Sequence, residues 1–217
     1  MKTLMEQISI FLLLFFVLIS CNQNQTVDRG KEDEYFMDEK GITYYKGSPF
    51  SGTRIKYHKN GRLKCKCFYK NGIMDGDCKW YYMNGQLVLK GPYKEGKEDG
   101  VWGFYYENSQ LQKQGSYKEG KKIGIWEYYY KNGHIVRKGL YREGKMEGLW
   151  KFYHENGQLN SKETWKDGEM DGVWEYYYEN GQLESKGSYK EGKKDGVWKF
   201  YDENGQLRKK GSYKEGG

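Results

Sequence analysis

GVWEYYYENGQLESKGSYKEGKKD, residues 172–195, is the unit from which this chain is built. Its opening glycine recurs at Gly52, Gly76, Gly100, Gly124, Gly148, Gly172 and Gly196, always 24 residues apart. The asparagine of its Asn-Gly pair keeps the same step from Asn60 to Asn204, with Ser109 instead of glycine after Asn108. A fixed period of this size without insertions marks a repeat array, in which each unit buries its core against its neighbours.

Within the unit, residues 173–178 are aromatic and β-prone, and the Asn-Gly that follows is the strongest short-range hairpin signal. Residues 183–189 return, and the Lys-Glu-Gly-Lys-Lys-Asp-Gly stretch leads into the next copy. No crossover helix fits, so consecutive strands are antiparallel neighbours. The expected fold is all-β: an elongated, single-layer antiparallel meander of 24-residue β-hairpin repeats, with roughly fourteen strands. A type I′ turn at Asn180-Gly181 sets Tyr178 opposite Leu183. A second turn centred on Gly192-Lys193 sets Tyr189 opposite Gly196 and Gly187 opposite Trp198. These registers place Trp174, Tyr176, Tyr178, Leu183, Gly187 and Tyr189 on one face, with rings over glycines. Val173, Glu175, Tyr177 and Lys186 line the other, wetter face.

Working outward, seven such units fill residues 52–217, the last incomplete, and 41–51 form an N-terminal capping half-repeat with Tyr45 in the place of Tyr69. The last returning strand then presents an edge open to self-association. Residues 1–20 carry Lys2 and an apolar run from Ile8 to Ile19, short for a membrane span and typical of a secretory signal. Leu18-Ile19-Ser20-Cys21 resembles a bacterial lipobox, which implies cleavage between Ser20 and Cys21 and acylation of Cys21. The expectation is a lipid-anchored protein of the bacterial cell envelope, exported across the inner membrane, with 21–40 as a flexible acidic linker.

Apolar residues make up 36% of the chain and Phe, Trp and Tyr 18%, so half the hydrophobic content is aromatic and burial must come from rings stacked on a sheet. The formal charge is +7 although residues 22–40 hold six acids against three bases, so the array itself is the basic part. Spread as lysine through the repeats, that charge suits a solvated, edge-protecting surface.

The second unit carries Cys67 where others have glycine and Cys78 where others have tryptophan. The expected register makes these two direct neighbours, and in an exported chain the pair predicts a Cys67–Cys78 disulfide, with Cys65 left over. Three buried thiols are the alternative.

Catalytic chemistry has no foothold in the sequence. There is no phosphate-cradling glycine motif, no metal-spaced Cys or His cluster and no nucleophile with a base. His58 and His154 share a repeat position four units apart, His134 sits beside a turn, and all three read as surface residues. The carboxylates recur as structural residues of an array do. The chain is expected to be no enzyme and to need no cofactor or metal.

The recurring G-x-W-x-[FY]-Y-x-x-N-G-x-L-x-x-x-G-x-Y-x-x-G resembles the bacterial variant of the MORN repeat, the kind found in YwqK-type antitoxin-like proteins, over residues 41–217. The resemblance implies a meander of hairpins and a binding or scaffolding role. The leading expectation is a membrane-tethered module that binds an unknown protein partner. Its aromatic face would use Trp102, Trp126, Trp150, Trp174 and Trp198, with Tyr105, Tyr129, Tyr153, Tyr177 and Tyr201 behind. An antitoxin or immunity protein masking one toxin is a variant of it. A choline- or glycan-binding envelope protein is the second possibility, because the Trp-Tyr runs also resemble choline- and glucan-binding wall repeats. The third is an anionic-lipid-binding spacer using Lys90, Lys138, Lys162, Lys186 and Lys210 on the wet face. Nucleic acid is not an expected partner.

Overall fold

The computed structural model describes the backbone of residues 27–28 and all of 34–214. The expected signal peptide, with Ser20 and Cys21, and most of the expected linker lie outside the described residues. The hairpins follow one another in chain order, from Gly52–Tyr57 paired with Leu63–Lys70 to Lys193–Tyr201 paired with Leu207–Tyr213. They form one open, 16-stranded sheet, with no α-helix among the described residues. The meander of 24-residue hairpins is therefore the fold. One outgoing strand is split into Lys97–Glu98 and Gly100–Tyr105, opposite Pro92, whose missing N–H interrupts the ladder.

Both turns differ from the expected types. The hairpin tip is a three-residue loop, Glu179-Asn180-Gly181, in which only Gly181 has positive φ (82°), and Tyr177, not Tyr178, faces Leu183. Tyr178 O accepts from Gly181 N and Tyr178 N donates to Gln182 O, both at 2.9 Å. The asparagine earns its place differently: Asn180 Oδ1 accepts from Gln182 N at 2.9 Å, while Nδ2 donates to Glu203 O of the next tip at 2.9 Å. The same double role recurs at Asn84, Asn108, Asn132 and Asn156, so the tips are stitched unit to unit.

The connecting turn centres on Glu191 (φ 49°) and Gly192 (φ 78°), one residue earlier than expected, with Lys190 opposite Lys193 and Tyr189 opposite Lys194. Positive φ at both central positions is the type I′ signature that the sequence placed at the other end of the hairpin. A bulge between Lys186 and Ser188 then restores the register that brings Gly187 under Trp198. That contact, and the common face of Trp174, Tyr176, Gly187 and Tyr189, are as expected.

Ser109 occupies the left-handed position that glycine holds in the other hairpin tips, at φ 69°. Ser109→Gly is expected to stabilise by about 0.5 kcal/mol, the relief of backbone strain being partly offset by loss of the Ser109 Oγ bond to Gln86 Oε1. A urea midpoint that falls instead would show the hydrogen bond to be the larger effect.

The cap begins earlier than residue 41. Tyr35–Met37 pairs with Thr43–Tyr45, which pairs with Ser48–Pro49, in a separate three-stranded sheet. Aromatic packing holds it: Phe50 is buried, and its ring lies 5.4 Å from that of Tyr35 and 5.9 Å from that of Tyr69 in the first repeat. Thr43 N donates to Gly72 O at 2.8 Å, joining cap to array. Val27–Asp28 also pairs, in parallel, with Thr53 and Arg54. Val27–Asp28 and Tyr35–Met37 are thus paired strands inside the stretch expected to be a flexible linker.

Candidate functional surfaces

The tryptophan face is closed. Trp102, Trp126, Trp150, Trp174 and Trp198 are 0–3% exposed. Each indole covers the glycine of the preceding strand or, for Trp174, the neighbourhood of Glu163, and its Nε1 donates at 3.1 Å to the next carbonyl, as from Trp126 to Ser116 O. Tyrosine edges fill the gaps, with T-shaped contacts such as Tyr141 to Trp150 at 5.0 Å. The five tryptophans named as a binding face are thus the core of the sheet. Their backbone-side position is filled by glycine, or under Trp174 by Glu163, and their outer side by neighbours, so they offer no surface to a partner.

The aromatic cages are also occupied from within. Lys122 Nζ lies 4.5 Å from the Trp126 ring centroid, 5.4 Å from Tyr128 and 4.9 Å from Tyr141. Lys194 Nζ sits likewise, 4.4 Å from Trp198, 5.5 Å from Phe200 and 5.3 Å from Tyr213. An external quaternary ammonium would have to displace the chain's own ammonium.

Two of the three histidines are partly buried, while His134 is at the surface as expected. His58 Nε2 is 2.8 Å from Tyr81 O and His154 Nε2 3.0 Å from Tyr177 O, each standing where Tyr82, Tyr106, Tyr130 and Tyr178 donate a phenolic O–H to the carbonyl 23 residues on. Imidazole replaces phenol as the stitch. His134 Nδ1 is 2.8 Å from Glu155 O at the same edge.

Glu163 breaks the pattern, since it stands where most hairpins have glycine and is buried beside Ser161, also buried. Ser161 Oγ donates to its Oε1 at 2.8 Å and Trp165 Nε1 to its Oε2 at 3.3 Å. Burial pushes the carboxyl above the usual carboxylate range, while the two hydrogen bonds pull the other way. Folding therefore raises the proton affinity of this acid. The stability this contributes is complete below the unfolded-state pKa and is lost as pH rises through the raised folded-state value. Urea midpoints across that range should show wild type losing ground to Glu163→Gln as pH rises; a gap independent of pH would count against it. The sequence signal was the missing glycine of one repeat.

The opposite face carries the open surface. Cross-strand pairs link Ile55, Lys66, Lys79, Lys90, Gly103, Gln114 and Glu127 in one row, each residue directly opposite the next. The row continues through Lys138, Lys151, Lys162, Glu175, Lys186, Lys199 and Lys210. Lysines thus stand in three runs of three at the spacing of neighbouring strands, about 4.8 Å. Like charges directly opposite one another destabilise a sheet, so the row is a cost that folding alone does not explain. Its two acids are engaged: Glu127 accepts from Gln114 Nε2 at 2.9 Å and Tyr129 OH at 2.8 Å, and Glu175 from Tyr177 OH at 2.6 Å and Lys162 Nζ at 3.0 Å. Those bonds hold both carboxyls below their ordinary range.

Beside the row runs an aliphatic stripe, of which Val173 alone was expected on this face: Val101 (70% exposed), Ile125 (60%), Leu149 (52%), Val173 (59%) and Val197 (47%). On the other side of the row stand Tyr105, Tyr129, Tyr153, Tyr177 and Tyr201, half-buried. Of the aromatic residues expected to bind a partner, only these tyrosines lie on an accessible face.

Cys67 and Cys78 are cross-strand partners joined in a disulfide, and Cys65 is a buried free thiol. Among the described residues no group of His, Cys, Asp or Glu side chains is placed to hold a metal ion, and no helix is long and apolar enough to cross a membrane.

Together these features define a repeat protein: an open array of stitched hairpins with one sealed face and one charged face. Seven segments, residues 51–71, 74–95, 98–119, 122–143, 146–167, 170–191 and 194–215, match the MORN repeat variant, and the chain belongs to that family. Such repeats are in general non-catalytic modules that commonly bind membranes or proteins. No curated protein matches the chain.

Proposed function

We propose that this chain is a non-enzymatic docking module whose working surface is the lysine-row face, and that its partner is a protein presenting an extended acidic surface. The observation that carries this is the unbroken cross-strand row with its three lysine triplets. A complementary acidic surface would relieve that repulsion and steer association. The aliphatic stripe alongside supplies apolar contact, as the core of an interface does. A protein is favoured over a lipid surface because the row includes Glu127 and Glu175, and Asp99, Glu147 and Asp171 follow the stripe on the side of the connecting turns. These acids would meet anionic headgroups unfavourably. Acyl chains on Cys21 would hold the module at the envelope membrane, and masking a toxin as an antitoxin or immunity protein is a special case of the same binding.

The test compares wild type with a variant carrying Lys138→Gln, Lys151→Gln, Lys162→Gln, Lys186→Gln and Lys199→Gln, both purified acylated from the native host in mild detergent. A stoichiometric acidic protein recovered with wild type, and lost from the variant and at high salt, supports the proposal. Equal recovery by both, or binding only to anionic vesicles, overturns it.

A further inference from the structure

On the sealed face, Lys113, Tyr128 and Arg137 are consecutive cross-strand partners, and Lys122 joins them from the strand that carries Tyr128. Lys122 Nζ donates to Tyr128 OH at 2.9 Å, and Arg137 Cζ lies 4.3 Å from the Tyr128 ring centroid. Lys113 Nζ lies 4.3 Å from the Phe104 centroid. All three cations are half-buried, above a floor that includes the fully buried Trp126 and Trp150. Among the described residues, none of the three makes an ion pair. Glu163, the acid on which Arg137 exerts a charge effect, has its oxygens engaged by Ser161 and Trp165. Burial first, and then the charges of Lys122 and Arg137, push the Lys113 ammonium below its ordinary range.

We infer that Lys113, Lys122 and Arg137, with the Tyr128 hydroxyl, form a binding site for a phosphate monoester dianion. Three mutually repelling, partly desolvated cations call for more than one negative charge. The guanidinium fork suits two oxygens of a tetrahedral oxyanion, and the ammoniums supply rotatable donors to the rest. Tyr128 OH already accepts from Lys122 and lies 3.2 Å from Tyr141 OH, so its own proton can turn to an incoming oxygen. The site occurs once because only here do long cations occupy successive positions that later hairpins fill with Ser161 and Ser185, next to a lysine where others have Met146 or Met170. It lies on the face opposite the lysine row and stands independently of the proposed docking function.

The repeat itself supplies substitutions that the fold tolerates: Lys113→Ser, Arg137→Ser and Lys122→Met. Full-length protein would be titrated calorimetrically with inorganic phosphate, and separately with phosphatidylcholine vesicles containing phosphatidic acid. Saturable binding is expected, weakened roughly tenfold or more by each single substitution and unchanged by Lys194→Met. The melting temperature without phosphate should hold or rise, since repulsion is removed. Binding to inorganic phosphate supports a soluble ester as ligand; binding only to the vesicles, lost in the triple variant, supports a lipid phosphate at the same site. No saturable binding to either probe, or equal binding by the triple variant, overturns the assignment.

Discussion

Gly139→Ala is expected to destabilise the array by about 3 kcal/mol, a large effect for one methyl group and near the upper end of overpacking costs. Gly139 lies between two fully buried tryptophans, as the cross-strand partner of Trp126 and beneath Trp150. Its φ is outside the left-handed region, so the demand is for space alone: a Cβ there would overlap the Trp150 indole. The ring cannot withdraw without losing the 3.1 Å bond from its Nε1 to Leu140 O and its edge contact with Tyr141. Adding Trp150→Leu to the alanine variant should cost less than the two changes summed, because the smaller side chain releases the overlap. Urea unfolding with hydrogen exchange would measure this, and loss of protection should centre on the hairpins around 124–166, as nearest-neighbour coupling in an array requires. A Gly139→Ala midpoint within error of wild type would mean that the indole can lift from the sheet, and the account of the core would fail with it.

Reducing the disulfide is expected to cost about 3 kcal/mol, the loop-closure value for a link between residues 11 apart. Here a covalent bond takes over the job done elsewhere by a ring on glycine. Cys67 occupies the glycine position and Cys78 the tryptophan position, and Tyr69, Met74, Trp80 and Tyr93 pack around them. Trp80 Nε1 donates toward Cys78 Sγ at 3.2 Å, so the neighbouring indole is placed by the sulfur. The loss should appear as faster amide exchange in the first two hairpins on addition of reductant, with later hairpins unaffected. A Cys67→Ala, Cys78→Ala variant should already exchange fast and show no response. Reductant-insensitive protection in wild type would remove the disulfide's stabilising role.

The two turn types show how far local sequence carries. Asn-Gly taken as a pair implies a two-residue turn; Asn180 instead makes hydrogen bonds to Gln182 and to Glu203, the latter 23 residues away. Glu191 accepts a positive φ at the other turn because the adjoining strands and the Gly192 bond to Met170 O hold it there. The lysine row was half visible for a related reason. Lys186 and its equivalents repeat visibly in the sequence, but the position opposite them is Glu175 in that unit and lysine at Lys79, Lys151 and Lys199, which only the pairing reveals as one row.

What the sequence by itself determined is everything carried by period and alternation: the 24-residue hairpin, the order of strands, the ring-on-glycine face and the paired cysteines. These depend on residue type at fixed spacing, and spacing survives translation into a regular strand. What only the tertiary structure decided depends on register between strands: which tryptophans are sealed, which lysines face one another, where Glu163 is buried, and how Lys113, Lys122 and Arg137 meet. A bulge such as that between Lys186 and Ser188 shifts every partner beyond it. Contacts made across strands by residues more than ten positions apart are therefore set by backbone geometry that no single repeat contains.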